Sequence, residues 1–202
     1  MSKKKTAYIN KIKSYYKKND FESILQKSKT SDIYKIQSKE VLYIIALSYD
    51  QTALKKDACT MKSMQNLAKK YTSIIIKKFP HWDKGYFVMG LILQHSNHPI
   101  RALKFYKKAQ QKNPKNTSYY LSLGNGYRAI KNYKLAEYYY KKALKMNDIR
   151  HLASINLVSL YEEMKERKMI TKYTKQSLEL LKNKKDQFSK NQKKRMKNIL
   201  KY

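Results

Sequence analysis

The sequence predicts an all-α protein, an α-solenoid of stacked antiparallel helix pairs with a capping helix at its C-terminal end. Apolar residues recur at steps of three and four along the chain, which is the spacing of one face of a helix. The 202 residues include only 4 glycines and 3 prolines, too few turn-forming residues for an all-β fold. One pattern also recurs after 34 positions, a period typical of helix-turn-helix arrays whose members stack to bury their apolar faces.

The repeat is clearest in the segment 120–144, which matches the segment before it at a constant offset of 34 residues. The matched pairs are Tyr86 with Tyr120, Met89 with Leu123, Gly90 with Gly124, Leu93 with Tyr127, Ala102 with Ala136, Tyr106 with Tyr140, and Ala109 with Ala143. The first four pairs fall on one stripe of a first helix and the other three on one stripe of a second. The small residues let two antiparallel helices approach closely, and we expect the tyrosines to fill the gap toward the neighbouring repeat.

The chain divides into six predicted segments. They are a weakly repeat-like N-terminal helical segment, 1–38; a degenerate repeat with an insertion, 39–80; two well-formed repeats, 83–116 and 117–150; a divergent repeat, 151–183; and a capping helix, 184–202. The N-terminal segment holds a helical pair broken near Asn19. The degenerate repeat carries roughly ten extra residues, which we assign to a loop near Asp50 to Lys56 and to a longer second helix.

This pattern of small and aromatic positions resembles that of the tetratricopeptide repeat (TPR) family. The resemblance is fullest over residues 83–150 and extends more weakly to 39–80 and 151–183. It implies a right-handed superhelix whose concave face binds peptides or helices of partner proteins, without catalysis. One TPR subclass grips the carboxylate tail of large heat-shock chaperones with lysine, arginine and asparagine. Only Asn125 matches that set, so we do not expect this specialised function.

Helix geometry predicts which side chains line the concave face. On the first helix of a repeat, the side not used in packing carries Leu121, Asn125 and Arg128, spaced by four and three. The equivalent positions of the other repeats complete the predicted partner-binding groove, namely Tyr43, Leu47, Phe87, Leu91, Gln94, Ile155, Ser159 and Glu162. Apolar and amide groups with a few charges suit a protein or peptide ligand. We therefore favour a non-enzymatic protein-interaction scaffold.

The charge of the chain supports a second function class. Lysine and arginine number 46 against 14 acidic residues, a net charge of +32, and only five of the 46 are arginine. The predicted second helices expose six lysines as a candidate polyanion-binding surface, namely Lys104, Lys107, Lys108, Lys141, Lys142 and Lys145. Such lysines attract nucleic acid weakly and without base specificity, because arginine forks that read bases are scarce. The alternative function is a basic module associated with nucleic acid or a ribonucleoprotein.

Other candidate chemistry is weak. The single cysteine, Cys59, excludes an internal disulfide, and we expect it to be a small buried residue rather than a nucleophile. His95 and His98 have the spacing of a metal pair but lack a third ligand, so we expect ordinary surface histidines. No set of acid, base and nucleophile can be assembled, and the sequence predicts no enzyme, cofactor or metal site.

Neither a secretion signal nor a membrane span is predicted. The basic N-terminal stretch has no uninterrupted apolar region behind it. The longest apolar run, Val41 to Leu47, is far short of the ~20 residues that a membrane-spanning helix needs. We expect a cytoplasmic protein that does not insert into membranes.

Overall fold

The computed structural model describes residues 3–28, 38–146 and 149–201. Every regular element within these ranges is an α-helix, which confirms the all-α prediction. The helices are α1 (Lys3–Lys17), α2 (Phe21–Ser28), α3 (Lys39–Ala53), α4 (Ala58–Lys78), α5 (Asp83–His95), α6 (Pro99–Lys112), α7 (Thr117–Ala129), α8 (Tyr133–Lys145), α9 (Arg150–Met164), α10 (Arg167–Leu181) and α11 (Gln187–Ile199). Residues 29–37 of the predicted N-terminal segment, and 147–148 of the second well-formed repeat, lie outside the described ranges.

The helices form two compact units. The first unit, Met1–Asn113, holds α1 to α6, and the second unit, Pro114–Tyr202, holds α7 to α11. In the first unit α3 pairs with α4 and α5 pairs with α6, while α5 also contacts α3 and α4. In the second unit α9 contacts α7, α8 and α10, and α11 packs against α10. Consecutive helices therefore pack as pairs, as predicted for a TPR-like solenoid.

The turns inside the helix pairs share one backbone conformation. Asn97, Lys131 and Lys165, each 34 residues from the next, have left-handed φ angles of 59°, 57° and 58°. In the first of these turns, the amide of His98 donates to the carbonyl of Leu93 at 2.8 Å. The equivalent bonds run from Asn132 to Tyr127 at 2.9 Å, from Glu166 to Tyr161 at 3.0 Å and, after Asn19, from Asp20 to Tyr15 at 3.0 Å. These bonds satisfy carbonyl groups at the helix ends and reverse the chain.

The two central pairs are closed by a glycine facing a tyrosine. A Cβ atom built on Gly90 would stand 2.4 Å from Cε1 of Tyr106, and one built on Gly124 would stand 2.4 Å from Cε1 of Tyr140. The sequence predicted that these tyrosines fill the gap toward the neighbouring repeat. That expectation is wrong in direction, because each ring fills the space over the glycine of its own repeat.

The divergent repeat keeps the same fit with the sizes exchanged. The positions 34 residues beyond Gly124 and Tyr140 hold Val158 and Thr174, both fully buried. A larger residue on the first helix is thus accompanied by a smaller one on the second. Summed side-chain volume at a helix contact matters more than which helix supplies it, so the pair α9–α10 retains the packing of the repeat without its signature residues.

The insertion in the degenerate repeat lies mostly in α4. At the 34-residue offset, the start of α6 at Pro99 corresponds to Gln65, whereas α4 begins at Ala58, seven residues earlier. The predicted loop from Asp50 is wrong at its first residues, because α3 continues to Ala53, which is fully buried. The expectation for Cys59 is also wrong. Cys59 is exposed, since it lies in the added turns of α4, before the part that follows the repeat.

Candidate partner-binding surface

The first unit contains an open apolar cavity of about 330 Å³, called here the apolar cavity. Its lining residues are Tyr16, Phe21, Tyr43, Leu47, Gln51, Phe87 and Leu91. Four of these, on α3 and α5, belong to the groove that the sequence predicts. The other aromatic residues come from α1 and α2, so four helices converge on one cavity.

Helix spacing explains how the apolar cavity is formed. Tyr43 and Leu47 are four residues apart on α3, as are Phe87 and Leu91 on α5, so each pair projects from one face. The ring of Phe87 lies 5.9 Å from that of Tyr106, its neighbour on α6. On the opposite wall, the left-handed turn at Asn19 brings the rings of Tyr16 and Phe21 to 6.4 Å. The cavity wall is therefore held by contacts behind it.

Tyr43 provides the one hydroxyl group among the α3 and α5 side chains of this cavity. Burial, with smaller effects from Tyr16 and Asp83, raises the pKa of Tyr43 to about 12. The hydroxyl is consequently protonated at neutral pH and can donate a hydrogen bond. Lys84 places its Nζ 5.8 Å from the centre of the Tyr43 ring, so a positive charge lies close to the apolar cavity.

A second cavity of the first unit, about 340 Å³, is called here the basic cavity. Its lining residues are Lys39, Lys78, Phe79, Pro80, His81 and Trp82. Nζ of Lys39 lies 5.4 Å from the centre of the Trp82 ring, a cation–π contact. Trp82 is the only tryptophan of the chain, and its ring meets that of Tyr43 edge to face at 5.6 Å. The two cavities are therefore neighbours that share this pair of rings.

Near the C-terminal ends of α3 and α5, the first unit holds a buried polar cluster. The carboxylate of Asp50 is completely buried and lies 2.8 Å from Nδ1 of His95. The hydroxyl of Ser96 donates to Gln65 at 2.9 Å, and Tyr106 donates to the predicted groove residue Gln94 at 2.9 Å. His95 is thus a partly buried partner of a carboxylate, not the ordinary surface histidine that the sequence suggested.

In the second unit, the predicted groove residues are engaged by the unit itself. Leu121 and Ile155 are only 7% and 5% exposed. The amide oxygen of Asn125 accepts a 2.6 Å hydrogen bond from the hydroxyl of Tyr140 and lies 3.4 Å from the amide nitrogen of Asn156. Little of this apolar and amide surface is left open to a ligand.

Ion pairs occupy the charged part of the same surface. Arg128 lies 3.5 Å from Glu163. Arg195, on the capping helix α11, pairs with Glu162 and donates to the hydroxyl of Ser159 at 3.2 Å. Helix α11 therefore reaches two of the predicted groove residues.

The candidate polyanion-binding lysines lie on α6 and α8. Lys104, Lys107, Lys108, Lys142 and Lys145 are exposed and Lys141 is partly exposed. Lys141 pairs with Glu137, while Lys142 lies 4.8 Å from the ring of Tyr138, which is itself 49% exposed. Part of this positive charge is thus held by neighbouring side chains.

Sequence reasoning missed the walls of both cavities. Tyr16 and Phe21 belong to a pair with only a loose repeat pattern, and nothing in that pattern shows which helices α1 and α2 will contact. Lys39 and Trp82 lie next to helix starts, outside the stripes that were used to trace the groove. The one available signal was the single tryptophan directly before the first well-formed repeat.

No helix in the described part of the chain is long and apolar enough to cross a membrane. The described residues also include no group of three or more histidine, cysteine or acidic side chains that could hold a metal ion.

No protein-family model matches the chain, and no curated protein matches it in sequence. Solved structures match its fold. TTC0263, a thermophilic TPR protein of Thermus thermophilus, aligns with a TM-score of 0.74 over 98% of this chain and 100% of that one, at 18% identity. MamA 41-end from Desulfovibrio magneticus RS-1 gives 0.73 over 92% and 99% at 15% identity. The APC/C hetero-tetramer Cut9–Hcn1 gives 0.72 over 95% and 36% at 14% identity.

Identities this low establish a likeness of fold. The helix pairs, the 34-residue offset and the glycine–tyrosine contacts agree with that likeness residue by residue. The chain is a protein of the tetratricopeptide-repeat fold.

Proposed function

We propose that the chain is a non-enzymatic scaffold that binds a peptide segment of a partner protein in the apolar cavity of its first unit. The cavity itself carries the proposal, because four helices converge to present Tyr43, Phe87 and Leu91 around an open space of about 330 Å³. A leucine or phenylalanine side chain fully buried there would contribute about 1.5–3 kcal/mol. One such anchor with backbone contacts around it is a common mode of peptide recognition.

The comparison of the two units supports this choice of site. In the second unit, Leu121 and Ile155 are buried and Glu162 is paired with Arg195. In the first unit, Phe87 and Leu91 remain partly exposed and line an open cavity. The predicted groove residues of the second unit therefore stay a secondary prediction, and the first unit is the place to test.

The fold supports the broader class of function. A chain that shares this fold takes part in a hetero-tetramer, the Cut9–Hcn1 assembly of the APC/C. Arrays of helix pairs offer extended surfaces to other proteins without needing catalytic groups. A scaffold is also the function that leaves no side-chain chemistry unexplained in the described residues.

The experiment is a selection of random dodecapeptides displayed on phage against the immobilised chain at physiological salt, followed by fluorescence anisotropy with the selected peptides. Phe87→Ala combined with Leu91→Ala should weaken their binding at least tenfold, because each change removes about 1–2 kcal/mol of apolar burial. Leu54→Ala with Ile100→Ala is the matched control. These two apolar residues of the same unit are 46% and 64% exposed, so this variant should bind like the parent.

Circular dichroism of both double variants should match the parent, since all four side chains are at least partly exposed. Equal binding by Phe87→Ala/Leu91→Ala and by the parent would contradict the site. A selection that yields no peptide would contradict the function.

The lysine-rich surfaces of α6 and α8 support the second candidate, a module that associates with nucleic acid. The observation that favours it is the exposed ring of Tyr138 beside Lys142, since aromatic rings next to cations can stack on bases. Salt dependence separates the two candidates, as set out in the Discussion.

A further inference from the structure

We propose that the basic cavity binds a carboxylate of the same partner segment, so that the partner is an acidic peptide with an apolar residue and an aspartate or glutamate three to four positions apart. This inference rests on the proposed function and adds the chemistry of the ligand. It concerns Lys39, Lys78 and Trp82, none of which belongs to the groove that helix geometry predicts.

The basic cavity concentrates positive charge from several sources. Lys39 is the first residue of α3, Lys78 is the last residue of α4, and both line the cavity. The N-terminus of α3 adds the positive end of its helix dipole, which opposes a lysine at that position and favours an anion beside it. His81 lies on the same rim. A carboxylate placed between the lysines would relieve this repulsion and form charge-assisted hydrogen bonds.

The acidic residues nearest in sequence are engaged elsewhere. The carboxylate of Glu40 accepts a hydrogen bond from Ser38 at 2.8 Å, and that of Asp83 accepts one from Asn113 at 2.9 Å. Among the described residues, neither Lys39 nor Lys78 has a carboxylate within the 4.0 Å of an ion pair. The described part of the chain thus leaves the anion to come from outside.

The shared ring pair sets the spacing of the ligand groups. Tyr43 faces the apolar cavity, Trp82 faces the basic cavity, and their ring centres are 5.6 Å apart. A ligand group in contact with the far side of each ring adds about 3.5 Å at either end, so the two groups lie roughly 12 Å apart. An extended peptide spans about 3.3–3.6 Å per residue, so this distance corresponds to about three to four residues.

Charge complementarity identifies the occupant. With a net charge of +32, the chain attracts acidic partners over distances of about one Debye length, ~8–10 Å in physiological salt. The apolar cavity requires an aliphatic or aromatic side chain next to the anion. A peptide combines both groups on one short segment, whereas a nucleic-acid strand would present its phosphates without an aliphatic anchor.

The test begins with the random dodecapeptides selected on the parent chain at physiological salt. These peptides should be enriched in aspartate or glutamate three to four positions from an apolar residue. Binding of one such peptide should change the fluorescence of Trp82, the only tryptophan, because its ring lies in the basic cavity. Replacing the acid of the peptide by its amide should weaken binding about tenfold, the value of one or two charge-assisted hydrogen bonds.

Lys39→Gln with Lys78→Gln should lose the same tenfold for the acidic peptide and bind the amide peptide as the parent does. Lys62→Gln with Lys104→Gln removes the same charge from two exposed lysines of the same unit, and this control should bind both peptides like the parent. A tenfold loss in the control as well would show diffuse attraction and overturn the site.

Failure of this inference and failure of the proposed function look different. Selected peptides that need Phe87 and Leu91 but show no acidic enrichment would refute the carboxylate site and leave the scaffold intact. Peptides that bind independently of both cavities would refute both proposals. A twelve-residue oligo-dT that gives the same Trp82 change at physiological salt, and loses it in Lys39→Gln/Lys78→Gln, would show that the anion is a phosphate and overturn the peptide.

Discussion

The ring of Tyr140 occupies the space into which a side chain on Gly124 would project, 2.4 Å from the position of its Cβ atom. Both residues are buried, and the hydroxyl of Tyr140 is fixed by Asn125 at 2.6 Å. The ring cannot move aside without losing that hydrogen bond. The close contact of α7 and α8 therefore depends on the absence of a side chain at one position.

Gly124→Val should destabilise the chain by about 1–3 kcal/mol, the usual cost of overpacking a filled core. Denaturant midpoints of the variant and the parent measure the effect, with circular dichroism to follow the helices. Coinciding midpoints would mean that the repeat register is wrong.

A double variant provides the control for that prediction. Tyr140→Thr alone should cost about 3–5 kcal/mol through the cavity it leaves. Combined with Gly124→Val it reproduces the pair Val158 and Thr174 of the next repeat, so the double variant should lose less than the sum of the single changes. Strict additivity would show that the two side chains do not compete for one space.

His95→Ala should destabilise the first unit by about 3 kcal/mol, because it leaves the carboxylate of Asp50 buried and unpaired. His98→Ala, which changes an exposed histidine three residues away, should have little effect. Adding Asp50→Leu to His95→Ala should restore most of the loss, since a buried pair is often replaced by apolar residues at small cost. A loss that persists in this double variant would place the role of His95 outside the pair.

Binding to nucleic acid should be measurable only at low salt and should be similar for unrelated sequences. If 6–10 phosphates are contacted, affinity should fall by about 10³–10⁵ between 50 and 200 mM salt. Filter binding or anisotropy with two unrelated oligonucleotides measures this dependence. Charge reversal at Lys107, Lys108, Lys141 and Lys142 should remove it and leave peptide binding intact. Tight binding to one sequence at physiological salt would make nucleic acid the main partner.

The cap of α4 should give the chain a stability contribution that depends on pH. The carboxylate of Asp57 accepts hydrogen bonds from the amides of Thr60 and Cys59 at 3.0 and 3.1 Å. These bonds, those with Thr60 first, lower the pKa of Asp57 below its usual 3.8. Because the folded pKa is depressed, the contribution is present above pH 3.8 and is lost as pH falls through the folded value.

Asp57→Ala should therefore lower the melting temperature at pH 7 more than at pH 3. Asp57→Asn keeps an acceptor that does not titrate, so relative to Asp57→Ala it should show an advantage that changes little with pH. An equal effect of Asp57→Ala at both pH values would mean that charge contributes nothing to the cap.

The central repeats could be predicted because packing there repeats the same residues at the same interval. Gly90 with Tyr106 and Gly124 with Tyr140 carry both size and spacing in the sequence. The start of α4 could not be predicted in the same way, since its added turns continue the helical spacing of the rest. Where a helix begins was decided by the cap at Asp57, a single side chain.

The candidate site was predictable only along one face. Tyr43, Leu47, Phe87 and Leu91 were found because helix geometry fixes which residues share a stripe. Whether a stripe stays open depends on contacts between distant segments. Tyr16 adds a wall to the apolar cavity, whereas Arg195 engages predicted groove residues in the second unit, and neither contact follows from local spacing.

Lys131 and Lys165 hold left-handed turns at positions where glycine would be the ordinary choice. A side chain in this conformation costs roughly 1–2 kcal/mol, but it also restricts the unfolded chain, which returns about 0.4–1 kcal/mol. The net penalty is small enough to be tolerated over evolutionary time. A lineage whose composition drifts toward lysine can therefore lose its turn glycines one by one and keep the hydrogen bonds that reverse the chain, so its ancestry persists in geometry after it has faded from the sequence.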